Sequence, residues 1–268
     1  MDKHALEYYI PYSKKDSQGH FHRVIDLNTD QKISWSEASK LSPHLGKGWY
    51  ELSHLSNQDR VDFTKEFWLS KLPYHSMLDE FLNKFFSGID DIAVFLTQRT
   101  YDDKFEAEMI YSLSGNSGFY RGYAPAKENE IIALQKVFTD YILPSDYLAF
   151  LQVHNGFAKL TDTGITKSSE MENSYQEFQR MLEKEFPLST SSGDPVNPKS
   201  LIPFYKSFGM EFYQCFWGEW YPEQEMGTVY YSSTTKTILT SKKQDDFVET
   251  MAFKTFTDWL MFYLEKIT

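Results

Sequence analysis

Apolar and polar residues follow two different periods along the first half of the chain. In FEAEMIYSL, residues 105–113, they alternate as in a strand with one buried face. Three further segments favour strands: HFHRVIDL (20–27), DIAVFLTQ (91–98) and GFYRGY (118–123). Helical spacing is found in three segments that lie between these strands: SEASKL (36–41), DRVDFTKEFWLSKL (59–72) and MLDEFLNKFF (77–86).

The second half begins and ends with helical patterns. ENEIIALQKVFTDYI, residues 128–142, carries Glu128 and Glu130 in its first turn, where the helix dipole favours acids. In TFTDWLMFYLEKI, residues 255–267, Thr255 and Asp258 are spaced as a helix cap. Its apolar face consists of Phe256, Trp259, Leu260, Tyr263 and Leu264. Four strands are predicted between these helices: LIPFY (201–205), EFYQCFW (211–217), GTVYY (227–231) and KTILT (236–240).

LPSDYLAFLQVHNGF, residues 143–157, predicts a sharp corner. The helix from residue 128 must end before Pro144, because proline disfavours helical backbone in the residue that precedes it. Pro144 then suits the first turn of a new helix. Gly156, beside Asn155, can adopt the left-handed conformation that ends a helix. The segment therefore predicts two helices joined by a corner, the second of which stops just before the sheet.

Two stretches rich in proline, glycine and serine interrupt the pattern. The first, 112–130, marks a predicted boundary between an α+β region of unassigned type at 1–127 and a second domain at 128–268. The first region either folds separately or extends the same sheet. The other stretch, 187–198, predicts a flexible surface loop. Acidic residues outnumber basic ones by 20 to 12 in the second domain and by 18 to 15 in the first.

The formal net charge of −11 bears on the choice of partner. Such a surface repels phosphate backbones, so nucleic acid is not expected. It attracts a protein with a basic surface, although the same charge also serves solubility alone. Cys215 is the only cysteine, which excludes an internal disulfide and suits a reducing compartment. The N-terminus does not resemble a signal peptide and no apolar run approaches membrane-spanning length, so we expect a cytoplasmic protein outside the membrane.

The segment Leu143-Pro144-x-x-Tyr147-x-x-Phe150-Leu151-x-x-x-Asn155-Gly156 resembles the opening of the SUKH superfamily. That group includes the yeast Smi/Knr cell-wall regulators and many bacterial toxin-immunity proteins. Later segments resemble the family in the same order: Leu201-Ile202-Pro203-Phe204, Gly227-x-Val229 and Phe256-x-x-Trp259-Leu260. The resemblance covers residues 128–268, about half of the chain.

The resemblance implies an α+β fold with a mainly antiparallel sheet flanked by helices. It also implies a role in binding another protein rather than in catalysis, and no cofactor is expected. In the immunity branch such proteins bind and block a toxin, so an immunity protein is the alternative function. Two features depart from the family pattern. Residues 128–142 contain no tryptophan, and the stretch 157–200 is longer than in the family and resembles an insertion.

FWGEWYPEQEMG, residues 216–227, mixes aromatic residues with carboxylates. Its proline and two glycines predict a loop or a bulged hairpin tip. Exposed aromatic side chains beside acids can form a binding site for a basic protein. The candidate partner-binding residues are Trp217, Glu219, Trp220, Tyr221, Glu223 and Glu225. In the alternative interpretation, both tryptophans pack in the core and the glutamates are only solvated.

DLNTDQKISWSE, residues 26–37, resembles a calcium-binding EF-hand loop. The residues at its ligand positions are Asp26, Asn28, Asp30, Ser34 and Glu37. The sixth position is Gln31, however, where the sharp turn of such a loop requires glycine. The alternative is a strand, a polar turn and a helix that begins at Ser34 or Ser36, and we assign no metal here.

Other reactive side chains form no site that the sequence can identify. His20 and His22 would share one strand face without a third metal ligand. Cys215 is expected to be an inert buried thiol, and His154, near a helix end, could act as a pH-sensitive cap of the helix dipole. We find no nucleophile, phosphate-loop or metalloprotease motif. We therefore predict a protein without catalytic residues; an enzyme that uses unidentified carboxylates is the remaining alternative.

Overall fold

The computed structural model describes residues 1–12, 19–30, 33–184, 187–190, 193–219, 226–233, 237–239 and 251–265. Within these residues the helices are α1 (Lys3–Tyr8), α2 (Trp35–Leu41), α3 (Lys47–Leu52), α4 (Asn57–Lys71), α5 (Leu78–Ser87), α6 (Glu128–Val137), α7 (Ser145–Leu151), α8 (Met171–Leu182) and α9 (Phe256–Leu264). The strands are β1 (Arg23–Asp26), β2 (Ile89–Gln98), β3 (Glu106–Leu113), β4 (Phe119–Tyr123), β5 (Phe157–Lys159), β6 (Gly164–Ile165), β7 (Ser189–Thr190), β8 (Leu201–Lys206), β9 (Phe212–Trp217), β10 (Thr228–Ser232) and β11 (Thr237–Leu239).

The chain divides into two compact units. The first contains Met1–Pro125 and Val153–Thr161. The second contains Ala126–Gln152 and Asp162–Lys266. Both units combine helices with mainly antiparallel strands, which confirms the predicted α+β class. That the chain consists of two domains divided after residue 127 stays a prediction.

The first unit is built on antiparallel strands in the order β1-β2-β3-β4-β5. The four strands predicted in this half are confirmed as β1 to β4. The register places Ile92 of β2 opposite Tyr111 of β3, and Tyr111 opposite Tyr120 of β4. Large aromatic side chains therefore lie side by side across the middle of the sheet, where cross-strand pairs stabilise it.

Strand β3 is buried on both faces, so the prediction of one solvent-facing side is wrong. On one face, Trp68 of α4 packs edge-on against Tyr111 with their ring centroids 5.9 Å apart. On the other, helix α1 brings Tyr9 against Phe95 and completes a buried cluster that includes Ile110. The prediction fails because the helix that covers this face, α1, lies far from β3 in the sequence, so the pattern within β3 cannot reveal it.

Glu108 lies on the face of β3 that α1 covers and is almost fully buried. The Tyr9 hydroxyl donates to its Oε2 atom at 2.7 Å, and the Thr97 hydroxyl donates to its Oε1 atom at 2.6 Å. Arg121 Nη1 lies 4.0 Å from the same carboxylate. Burial, together with the charge of Glu108, raises the pKa of Tyr9 well above its usual value. The buried acid is thus paired and hydrogen-bonded, as a charge in a protein interior requires.

The second unit has strands in the order β6-β8-β9-β10-β11-β7. All these pairs are antiparallel except β7 with β11. The strands predicted from LIPFY onward correspond to β8 to β11, of which β11 is described at Thr237–Leu239. The register of β8 against β9 shifts between Pro203 and Tyr205. A bulge suits this position because proline has no N–H to donate to a neighbouring strand.

Helix α8 lies in the stretch 157–200, where the sequence analysis predicts an insertion and no helix. Its residues Phe178 and Leu182 pack in one buried cluster with Cys215 and Tyr231 of the sheet. The predicted surface loop at 187–198 is also wrong in part, because its apolar residues Leu188 and Val196 belong to this cluster. Helix α8, Leu188 and Val196 therefore cover one face of the sheet in the second unit; that the stretch is an insertion stays a prediction.

The predicted corner at 143–157 is confirmed with three adjustments. Helix α6 ends at Val137, earlier than the predicted residue 142. Pro144 occupies the N-cap of α7 rather than its first turn. Gly156 has the expected left-handed backbone, with a φ of 103°, but it turns the chain into β5 after α7 has already ended at Leu151. No helix in the described part of the chain is both long enough and apolar enough to cross a membrane.

Candidate functional site

The residues that carry the family resemblance meet in one aromatic cluster of the second unit. Tyr147 of α7 contacts Phe216 of β9 and Phe256 of α9, at centroid distances of 4.9 and 5.3 Å. Phe204 of β8 stacks on Phe216 at 4.3 Å and meets Trp259 edge-on at 4.8 Å. All five side chains are buried. The motif therefore encodes the core that joins α7, the sheet and α9.

Asp146 connects the same two helices by hydrogen bonds. Its Oδ2 atom accepts from the backbone N–H of Thr257 at 2.8 Å and from the Thr257 hydroxyl at 2.9 Å. Its Oδ1 atom accepts from its neighbour Tyr147 N–H at 2.9 Å. The carboxylate of Asp146 is buried and lies against the first turn of α9. Unpaired N–H groups and the helix dipole favour a negative charge at that position. Nothing in the sequence around Asp146 indicates this partner, which lies 111 residues later in the chain.

The predicted partner-binding segment, 216–227, begins where β9 ends. Trp217 is only 9% exposed and packs in the core cluster that contains Val229. Glu219 is exposed. The other four predicted binding residues, Trp220, Tyr221, Glu223 and Glu225, lie outside the described residues. Of the two described candidates, only Glu219 presents a polar side chain to solvent.

The backbone at both ends of this segment is held in place. The Trp217 N–H donates to the carbonyl oxygen of Gly227 at 3.1 Å, so the segment leaves and rejoins the sheet at one point. The Gly218 N–H donates to the Ser200 carbonyl at 2.8 Å. A Cβ atom at Gly218 would lie 2.5 Å from Cδ1 of Tyr141, which explains why a glycine occupies this position.

The oxygen atoms of the EF-hand-like segment are used in a turn and a helix cap. The Asp26 Oδ1 atom accepts from the Asn28 N–H at 2.9 Å, and the Asn28 side chain bonds the backbone of Ile92 and Val94. Ser34 and Glu37 form the capping box of α2. The described residues therefore adopt the alternative arrangement of strand, turn and helix, with the N-cap at Ser34; Gln31 lies outside them.

The two predicted histidine positions do not form a site. Both lie before β1, which begins at Arg23, and they contact different aromatic rings: His20 stacks on Tyr8 and His22 meets Tyr101. Among the described residues, no three side chains of His, Cys, Asp or Glu come together in a way that could hold a metal ion. Cys215 is fully buried, which confirms the expectation of a buried thiol, and burial raises the pKa of this thiol well above the usual value.

The expectation that His154 caps a helix dipole is wrong, because its ring lies in the core of the first unit at 1% exposure. Its Nδ1 atom is 3.0 Å from the Tyr123 carbonyl oxygen, which can only accept, so Nδ1 carries the proton. Nε2 then accepts from the Tyr111 hydroxyl at 2.6 Å, and this hydroxyl in turn accepts from the Trp68 indole N–H at 2.9 Å. Burial lowers the pKa of His154 to about 3. The ring is therefore neutral near pH 7.

This hydrogen-bonded chain also forms part of the wall of a cavity that the sequence analysis does not predict. The cavity lies against α3 and α4 in the first unit. One signal in the sequence points to it: Phe63, Thr64 and Phe67 place two aromatic rings and a hydroxyl on neighbouring positions of one helix.

The burial of neutral His154 predicts a specific pH dependence of stability. Below its ordinary pKa of 6.5 the unfolded chain takes up a proton on His154, whereas the folded chain does so only near pH 3. The free energy of unfolding is therefore expected to fall by up to about 1.4 kcal/mol per pH unit as the pH drops from about 6.5 to 5. Urea unfolding of the wild type and of His154→Gln measures this, because the remaining histidines are common to both proteins. Equal slopes for the two proteins would contradict a buried neutral His154.

Comparison with known proteins finds a match in the second half of the chain. The model of the SMI1 / KNR4 family (SUKH-1) matches residues 125–261, which is just over half of the chain and begins one residue before Ala126, where the second unit starts. No curated protein and no solved structure matches the chain. The matched range contains the whole aromatic cluster and both partners of the bond between Asp146 and Thr257. Through residues 125–261, the chain belongs to the SMI1 / KNR4 family (SUKH-1).

Proposed function

We propose that this protein is a non-enzymatic binding module of the SUKH type that binds a partner protein with a basic surface. The contact is made by the acidic and aromatic segment at 216–227. The observation that carries the proposal is the fixed backbone at the ends of this segment, with Glu219 exposed directly after β9. The bonded backbone that precedes Glu219 reduces the conformational freedom that this acid loses on binding.

The chemistry of the interior supports binding rather than catalysis. His154, a residue type often used as a general base, has both ring nitrogens engaged in hydrogen bonds and is neutral in the core. Cys215, a residue type often used as a nucleophile, is buried with a raised pKa, so it is not a thiolate near pH 7. Neither His154 nor Cys215 is placed where it could accept a proton from a substrate or attack it.

The charge of the chain supports a basic partner. The net charge is −11, and the larger acidic excess lies in residues 128–268, the half that contains the segment. Trp217 is largely buried, so the direct contacts would come from Glu219 and from the residues that follow it. Ion pairs between these acids and basic residues of a partner increase the rate of association. They weaken at higher salt, because salt screens exposed charges.

The test is affinity capture with a charge-reversed variant and a matched control. The variant carries Glu219→Lys, Glu223→Lys and Glu225→Lys. The control carries Glu66→Lys, Glu177→Lys and Glu183→Lys, which make the same change in net charge. These three exposed glutamates lie in α4, in the middle of α8 and at the C-cap of α8. We expect the wild type and the control to retain one basic protein and the variant to bind it at least about tenfold more weakly, with a loss of affinity in higher salt.

Equal capture by both triple variants would overturn the assignment of the binding segment. Capture that is insensitive to salt would overturn the charge argument even if the segment is correct. If the retained protein is a toxin and is inhibited in a one-to-one complex, the module is an immunity protein.

A further inference from the structure

Two arginine side chains of the first unit converge on one tyrosine hydroxyl. Arg99 directly follows β2, and Arg121 and Tyr123 lie in β4. One Nη atom of each arginine donates to the hydroxyl oxygen of Tyr123, at 3.2 Å in both cases. A tyrosine hydroxyl is neutral near pH 7, so a single uncharged oxygen lies between two positive charges. These charges repel each other, and a negative charge beside them would be stabilised.

The two arginines differ in what balances their charge. Arg121 is almost fully buried, its Nη1 atom lies 4.0 Å from the Glu108 carboxylate, and its Nε atom donates to the Leu160 carbonyl at 3.1 Å. Arg99 is exposed and forms no ion pair with any residue that the structure describes. Its guanidinium group has five N–H donors, and its only hydrogen bond to a described residue is the one to Tyr123. The remaining donors are therefore left for an acceptor from outside the chain.

The guanidinium group of Arg99 is already held in position. It lies over the ring of Phe21, with its central carbon 5.5 Å from the ring centroid. Phe21 is itself fully buried and stacks on Tyr9 at a centroid distance of 5.3 Å, so this support is rigid. The ring and the bond to Tyr123 together reduce the conformational freedom that Arg99 loses on binding. The planar fork of an arginine matches two oxygen atoms of a carboxylate or a phosphate.

We propose that Arg99, supported by Arg121 and Tyr123, forms a binding site for a phosphate group. The donors of Arg99 that are not bonded to Tyr123 bond two phosphate oxygens, and Arg121 adds its positive charge at short range. Phosphate is favoured over a carboxylate because it carries more than one negative charge near pH 7 and two positive charges attract it. The site is independent of the proposed contact with a basic protein, because it lies in the first unit and shares no residue with the segment 216–227.

The test is an NMR titration of the full-length protein in which inorganic phosphate replaces chloride at constant ionic strength. The backbone amide signals of Thr100 and Tyr123 report binding, and we expect them to shift and to saturate. Arg99→Gln removes the donors and one of the two charges, so it is expected to weaken binding at least about tenfold. Tyr123→Phe keeps the ring but removes the oxygen that orients Arg99, and it is expected to weaken binding by about threefold.

Arg23→Gln is the matched control. Arg23 is an exposed arginine of β1 whose guanidinium group lies over the Phe105 ring at 5.6 Å. Its replacement makes the same change in net charge and removes the same kind of ring contact, but it leaves Arg99 and Arg121 in place. We expect the affinity for phosphate to stay within about twofold of the wild type, because salt weakens the effect of a more distant exposed charge.

Two further probes identify the ligand. Phenyl phosphate distinguishes the sources of the group: binding at least as tight as that of inorganic phosphate indicates a phosphorylated molecule, weaker binding indicates free phosphate, and either result supports the site. Acetate that binds as tightly as phosphate would contradict the choice of phosphate. Signals of Thr100 and Tyr123 that do not saturate, or equal weakening by Arg99→Gln and Arg23→Gln, would overturn the proposal, since either result shows only a general response to charge.

Discussion

Replacing Gly122 with alanine is expected to lower the free energy of unfolding by about 3 kcal/mol. A Cβ atom at this position of β4 would lie 2.6 Å from Cε1 of His154 and closer still to Nδ1 and Cγ. The ring cannot swing away freely, because it is buried and is held at both nitrogens by Tyr123 and Tyr111. Movement of the ring would leave both partners unsatisfied, and movement of β4 would disturb its pairing with β3. Urea unfolding at neutral pH measures the loss.

Gly48→Ala is the control for this prediction, because the added methyl group points into open space in helix α3. It is expected to be neutral, or to stabilise the fold by up to about 1 kcal/mol, since alanine is the better helix former. If Gly122→Ala cost no more than Gly48→Ala, the ring of His154 could move without penalty. The proposed role of Gly122 as the space for this ring would then be incorrect.

The parts of the fold that could be predicted are those that local rules determine. Strand β2 follows from a short apolar run and β3 from the alternation of apolar and polar residues, and α9 follows from its cap at Thr255 and its apolar face. The corner at Pro144 follows from the backbone restrictions of proline. In each of these cases the residues that specify the element lie within the element or beside it, so a reading of neighbouring positions is sufficient.

The parts that could not be predicted depend on residues distant in the sequence. Alternation in β3 correctly indicates a strand, but Glu108 is buried because α1, about a hundred residues earlier, supplies Tyr9. His154 is near a helix end in the sequence, yet its environment is set by Tyr111 and Trp68 from other elements. A charged or titratable residue has the same appearance in a sequence whether a distant element covers it or not.

The candidate sites show the same division. The sequence identifies 216–227 by its unusual composition, but it could not place Trp217 in the core, because that depends on packing against other strands. The sequence gives no warning that the Thr64 hydroxyl lacks a hydrogen-bond partner among the described residues. The family resemblance has a similar restriction: its motif residues form a core, so the motif reports the fold of the second unit and leaves the binding surface undefined.

Replacing Asp146 with alanine is expected to lower the free energy of unfolding by about 3 to 4 kcal/mol. Three donors lose their acceptor at once: the N–H of Tyr147 and both the N–H and the hydroxyl of Thr257. The buried N-terminus of α9 also loses a negative charge that its dipole favours. Asp146→Asn is expected to cost less. Its one carbonyl oxygen can still accept from the donors of Thr257 or from the N–H of Tyr147, whereas its NH₂ group faces the remaining donor side without accepting from it. Urea unfolding of both variants measures the difference.

Thr257→Val separates the hydroxyl from the backbone contribution, since it removes one donor and keeps the N–H of residue 257. Alone it is expected to cost about 1 kcal/mol. In the double variant with Asp146→Ala its effect should largely disappear, because the hydroxyl has then already lost its acceptor; the coupling energy of the cycle should be about 1 kcal/mol. Additive losses would show that the two side chains do not interact. In that case, the bond that joins α7 to α9 would have to be attributed to the Thr257 N–H alone, and the stability of this family core would rest mainly on its aromatic packing.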